Sequence, residues 1–297
     1  LNGKSVAAAV AAALCVAGIA AAGSSARVGS VADALEAQSA HGFVPARNAT
    51  PGGGSHYFAL QWHNGPVMHA TTVVPVYWGS SWGSSSFVGD KISGLDTLYS
   101  GIGGTAYART NGEYSDGSGS VNTTGIGKSA NKTDTSATPS GAPSTAQVLQ
   151  EVSKMTGGAP VAGAYYPVYS DQKRGSAGYC AWHSSGTING RQVEFGFFFN
   201  LDGDSGCDPA SPSSLGHSQG LAALANVSGH ELSEMLTDPQ LNAWYDQKGD
   251  ENSDKCAWTW NGTVAIGGQS WKIQGNWSNA AAAAGTGYAK IGCIQTR

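Results

Sequence analysis

The residues best suited to chemistry lie in Val227-Ser-Gly-His-Glu-Leu-Ser-Glu-Met-Leu-Thr-Asp-Pro239, where His230 and Glu234 stand four apart and Glu231 sits between them. If the segment is helical, His230 and Glu234 project from one face and can grip one ion, with Glu231 beside them. That is the layout of a metal-hydrolase helix with one change. The zincin pattern carries histidine at both gripping positions, and here the second is Glu234. A carboxylate is a competent zinc ligand, so the exchange keeps the chemistry open.

Two ligands on a helix need a third from elsewhere. The acidic stretch Gly249-Asp-Glu-Asn-Ser-Asp254-Lys-Cys256 offers Asp254 first and Glu251 second, with Asp246 behind them. His183, in Gly178-Tyr-Cys-Ala-Trp-His183, is the alternative third ligand. Three protein ligands leave a position for water, whose pKa the ion lowers, and Glu231 is placed to take its proton as general base. Tyr245 or His183 would donate to the oxyanion of an amide-type tetrahedral intermediate. The expected cofactor is zinc and the expected substrate a peptide or protein. The competing account is that His230, Glu231 and Glu234 only cap or salt-bridge a helix. Their clustering, just ahead of a second acidic group in a chain where charged residues are only 12%, favours the metal.

Other chemistries fit less well. No convincing Gly-x-Ser-x-Gly elbow occurs, and carboxylate pairs such as Glu231 and Glu234, or Asp250 and Glu251, define a glycosidase only through a spacing in space. His217 lies thirteen residues before His230, more than three turns away, and reads as structural. Asp202, Asp204 and Asp208 on the glycine-bent loop 200–208 have oxygens suited to structural calcium, though the spacing of an EF-hand is not met and a solvated turn accounts for them better. Nine tryptophans, among them Trp258, Trp260, Trp271 and Trp277, raise a binding alternative, a sugar-stacking surface for cell-wall polysaccharide.

The elements that must position these groups can be traced from the patterning. Leu215 to Leu236 is the longest helical candidate, with Leu221, Leu224, Val227, Leu232 and Met235 along it and Asp238-Pro239 ending it; Gly220 and Gly229 weaken the pattern. Helices are also expected over 90–102 and, capped by Ser144, over 145–155. Strands are expected at 161–168, 178–183 and 193–200, and in a hairpin or sheet from 57–62 and 67–78 around Asn64-Gly65. The polar stretch 110–144 reads either as short exposed strands or as a mobile excursion. Closing strands fall at 264–271 and 289–295, with the alanine run 280–284 between them.

The 43 glycines and the low charge suit a loop-rich, strand-containing exported chain, and a net charge of −4 without a basic cluster gives no footing for nucleic acid or anionic membrane. Lys4 followed by the apolar run Val6 to Ala22, with small residues at Ala20 to Ala26, reads as an export signal over 1–26; no later stretch is long enough to span a bilayer, so no membrane contact is expected once the signal is removed. Residues 27–56, ending in Thr50-Pro-Gly-Gly-Gly-Ser55, read as a flexible leader or pro-segment, with order beginning near His56. Beyond Cys15 four cysteines remain. Cys180–Cys207 and Cys256–Cys293 are favoured among three possible pairings because each closes a neighbouring region.

Trp62-His-Asn-Gly-Pro-Val67 with Thr72-Val-Val-Pro-Val-Tyr-Trp78, and then Gly229-His-Glu-Leu-Ser-Glu234, Asp238-Pro239, Asn242-Ala-Trp-Tyr245 and Glu251-Asn-Ser-Asp254-Lys-Cys256, together resemble the phosphate-induced or EXORDIUM-like family of secreted proteins. The resemblance is spread over 57–297, is weakest in the middle, and implies an extracellular or periplasmic setting. The resulting expectation is an α/β or α+β fold: one secreted domain over 57–297 with a mixed sheet, flanking helices and a metal-hydrolase site.

Overall fold

The computed structural model describes residues 34–47, 58–288 and 291–297. Its centre is a nine-stranded mixed sheet. We number these strands β1 (Leu35–Ala37), β2 (His41–Pro45), β3 (Thr71–Val73), β4 (Val76–Trp78), β5 (Ile126–Lys128), β6 (Lys132–Asp134), β7 (Ala164–Lys173), β8 (Tyr179–Ile188) and β9 (Arg191–Asn200). β7 is central. It runs parallel to β9 on one side and to β3 and β4 on the other, and these in turn pair in parallel with β5 and β6. β8 turns back antiparallel to β9 through Asn189-Gly190, both with positive φ, and β1 and β2 cover its far edge. The long β7, β8 and β9 are buried over most of their length, as expected for strands covered on both faces.

Three longer helices flank the sheet: α1 (Lys91–Gly101), α2 (Thr145–Thr156) and α3 (Gln219–Thr237). α2 starts at Ser144, the N-cap expected from sequence, and the structure adds a complete capping box to Gln147. α3 starts four residues later than the apolar pattern alone suggests, because Ser218 accepts the backbone N–H of Leu221 and so sets the first turn. From Gly220 to Thr237 α3 is buried, so its polar residues are inside the protein. The two glycines that weaken the helical pattern are where other chain presses in. A Cβ on Gly220 would lie 1.9 Å from Asp202 Oδ1, and one on Gly229 would lie 2.5 Å from Ile273 Cγ2. A hydroxyl relay ties the layers together: Tyr169 on β7 meets Tyr99 of α1 and Ser228 of α3, each at 2.7 Å.

Both disulfides form as expected, Cys180–Cys207 and Cys256–Cys293. Other expectations are corrected. The 57–62 and 67–78 segments do not form a hairpin: Gln61–Trp62 pairs with Trp244–Tyr245, while β3 and β4 enter the main sheet in parallel. Part of the 110–144 stretch supplies β5 and β6, the short-strand alternative offered for it, although its Thr110, Asn111 and Thr123 are buried. Residues 34–47, expected to belong to a flexible leader, form β1 and β2. The alternation His41-Gly-Phe-Val-Pro45 buries Gly42 and Val44 against β8, which is enough to seat an edge strand. The export signal expected over 1–26, and residues 27–33 and 48–57, lie outside the described residues. Among the described residues no helix is long and apolar enough to cross a membrane.

Candidate metal centre

α3 and β8 face each other, and the loop after Asp246 folds over the end of their contact. This brings His183 from the strand, His230, Glu231 and Glu234 from the helix, and Glu251 and Asp254 from the loop into one buried cluster. The loop is docked by the helix itself. The Asp254 N–H donates to Glu234 Oε1 at 3.0 Å, Ser253 Oγ donates to the His230 carbonyl at 3.2 Å, and the Cys256–Cys293 bridge holds the loop's end. Asp254 is the one member open to solvent, its side chain 18% exposed.

Within the cluster two triads can each hold an ion, and Glu234 belongs to both: His230, Glu234 and Asp254, and His183, Glu231 and Glu234. In the first, His230 Nε2 lies 2.9 Å from Glu234 Oε1 and 3.5 Å from Asp254 Oδ1. Ligand atoms around a tetrahedral zinc at ~2.0–2.1 Å are about 3.3 Å apart, so these separations bracket what the ion needs. Close as it is, the His230–Glu234 approach lacks the alignment of a hydrogen bond: His230 Nε2 and Glu234 Oε2 both lack a partner, as do His183 Nε2, Glu231 Oε1 and both oxygens of Glu251. Buried polar atoms without partners are costly, and a cation held by either triad would satisfy His230 Nε2 or Glu234 Oε2. In the second triad His183 Nδ1 meets Glu231 Oε2 at 3.2 Å and Glu234 Oε2 at 3.5 Å, while its Nε2 faces Glu251 Oε2 at 3.4 Å.

The electrostatics point the same way. Four carboxyl groups face two imidazoles, so the cluster must retain protons or take up positive charge. Burial pushes Glu231 up to about 8 against the pull of both histidines, and raises Asp254 to about 6 with help from the Glu234 charge. Burial and the charges of Glu234 and Asp238 push Glu251 well above the usual carboxylate range. Glu234 is the exception: burial would raise it, but His230 and His183 hold it ionised and well below its ordinary value. Burial alone would lower His183, yet its hydrogen bond to Glu231 and the nearby Glu231 and Glu234 charges outweigh this and raise it to about 10.

The third ligand expected first, Asp254, is in place. Glu251 is in the cluster but 3.4 Å from the far ring nitrogen of His183, and it belongs to neither triad. Asp246 is taken by a buried ion pair with Lys255 at 2.8 Å. Tyr245 stacks its ring on His63 at 3.6 Å and pairs through its backbone with Gln61. His217 stacks on Trp271 and bonds the Ser270 carbonyl, a structural role. The aspartates of the 200–208 loop do not converge. Asp202 pairs with Lys91 and Asp204 with Arg174, and Asp208 accepts the N–H of Ala210, so the loop's aspartates are met by the chain itself, in keeping with a turn and not with the calcium alternative. Trp271 and Trp277 are buried in the core, which removes two of the four rings proposed for stacking on sugar.

Two contributors were not legible in the sequence. Gln274 places Nε2 2.8 Å from His230 Nδ1, and the same carboxamide donates to the Ser253 carbonyl and accepts the Trp258 N–H. In this orientation a neutral His230 carries its proton on Nε2, toward Glu234 and Asp254. Ligating an ion there moves the proton to Nδ1, and the amide must turn its oxygen to accept it. The other contributor is β2, whose Gly42 packs on the cluster: a Cβ there would lie 2.1 Å from Glu234 Oε2 and 2.5 Å from His183 Cε1. No signal marks Gln274 in the sequence; the apolar alternation after His41 would have flagged β2.

No family model, curated protein or solved structure matches the chain. The functional reading therefore rests on the site's own residues.

Proposed function

We propose that the protein is an exported metal-dependent hydrolase of peptide-type bonds, with zinc held by His230, Glu234 and Asp254. The observation that carries this reading is the buried His230 Nε2, which has no hydrogen-bond partner and lies with Glu234 Oε1 and Asp254 Oδ1 at separations that suit one small cation. This triad is preferred over the one containing His183 because Asp254 reaches solvent, and because His183 Nδ1 is already engaged by Glu231. The two disulfides fit an oxidising compartment, and the resemblance to EXORDIUM-like secreted proteins belongs to the same reading.

When bound, the ion supplies Lewis-acid polarisation of the scissile carbonyl and acidifies a water. The chain's own residues handle the protons. Glu231 takes a proton from the attacking water and returns it to the leaving amine, so no net proton is consumed. A carboxyl raised to about 8 holds a proton too firmly to act as a base at neutral pH, and a nearby cation lowers it toward the working range. His183 fixes the Glu231 carboxylate through Nδ1, a positioning role in place of the oxyanion donation expected from sequence. The test is Glu231→Gln. It should bind one zinc per chain as the parent does, by elemental analysis, and lose peptide cleavage by about 100-fold or more. Cleavage retained in that variant would remove Glu231 as the base, and failure of the parent to bind zinc would remove the whole reading.

A further inference from the structure

The cluster is closed. His183, His230, Glu231 and Glu234 have no solvent exposure and Asp254 has little, so a substrate carbonyl can arrive only if something moves. Three of the walls are fixed: α3 is buried along its length, β8 is bonded to β9 along its other edge, and the Glu251–Cys256 loop is held by a disulfide and by hydrogen bonds to α3. The fourth wall is β2. It is held by irregular antiparallel pairing to β8 (Tyr179 with Pro45, Ala181 with Val44, His183 with His41), by Val44 buried in the core, and by bonds at its ends, among them Trp258 Nε1 to the Pro45 carbonyl and Ser184 Oγ to the Ser39 carbonyl.

We propose that β2 is a built-in occupant of the substrate path, an extended strap that blocks the site and marks how an extended polypeptide would take its place along the edge of β8. This inference rests on the hydrolase reading above. Two observations carry it. An edge strand leaves a sheet without breaking any bond elsewhere in it, and the vacated edge of β8 presents backbone N–H and C=O groups that an incoming extended chain can pair with. And the strap's residue against the cluster is Gly42, at φ 52°, where a side chain would run into Glu234 and His183. The site therefore selects glycine at that position of its substrate, since a larger residue cannot approach without displacing a ligand.

The test uses the full chain carrying Gly42→Ala, which pushes the strap off by contact and by backbone strain. Two rates are read: hydrogen exchange of the backbone over 179–184, which needs no ion, and removal of zinc by an external chelator from the loaded protein. Both should rise by about tenfold or more, and a synthetic peptide of residues 38–47 added in excess should restore the slow rates, whereas the same peptide with alanine in place of Gly42 should not. Unchanged exchange in Gly42→Ala overturns the strap, and so does a rise that the native peptide fails to reverse, because general loosening would then be the cause. If exchange responds and is reversed but no form of the chain holds zinc, the hydrolase reading falls while the strap stands. If zinc is held and cleavage occurs with exchange unchanged, the strap alone falls.

Discussion

Glu234 offers one oxygen toward each histidine, so it is the residue on which both triads depend. Glu234→Gln should weaken zinc binding by about 100-fold or more, measured by titration against a competing indicator. The histidines separate the triads. His230→Ala should lose the ion with the same severity, while His183→Gln should keep it and lose cleavage by about 10–100-fold, the effect of a partner that orients a reacting group. Loss of zinc in His183→Gln with retention in His230→Ala would move the ion to the other triad.

At the level of elements, the site depends on a loop being held against a helix. The 246–256 segment has little apolar surface of its own. It is held by the Asp246–Lys255 ion pair, with the Lys255 ammonium also lying 4.4 Å from the centre of the Trp277 ring, and by the Cys256–Cys293 bridge. Removing the bridge with Cys256→Ser and Cys293→Ser together releases a loop with a sequence separation of 37. The cost should be about 3–4 kcal/mol in denaturant unfolding, and because Asp254 rides on this segment, zinc affinity should fall in the same variant. An unchanged affinity would mean that Glu234 and Ser253 dock the loop without help.

For the whole molecule, buried acids outside the site set how stability varies with pH. Glu194 on β9 is buried, and burial raises its pKa to about 7 from 4.5. The folded chain therefore holds this proton over a pH range in which the unfolded chain has released it. A raised acid contributes stability that is present below the unfolded value and is lost as pH rises through the folded one. Glu194→Gln removes that dependence, so relative to the parent it should gain about 2–3 kcal/mol between pH 4.5 and 8. Urea unfolding of the two chains at both pH values checks this; parallel stabilities would show that Glu194 is not desolvated in solution.

Much of this protein was legible in its residues because the signals were local. The N-cap at Ser144, the apolar spacing of α3, the pairing of cysteines with near neighbours and the His230, Glu231, Glu234 spacing all depend on groups a few residues apart or on compositional contrast. Asp254 could be named because an acidic loop in a weakly charged chain stands out. The sequence did not reveal the partners that meet only after folding. Strand order put His183 opposite Glu231, edge pairing brought Gly42 over His183 and Glu234, and a loop crossing placed Gln274 behind His230. Nor could spacing show that Tyr245 turns toward His63, or that Asp202 and Asp204 face cations of the chain itself. Ligand type and helical phase are written in one dimension; which buried oxygens are left without a hydrogen bond, and so could meet a cation, is decided only when distant segments have packed and excluded water.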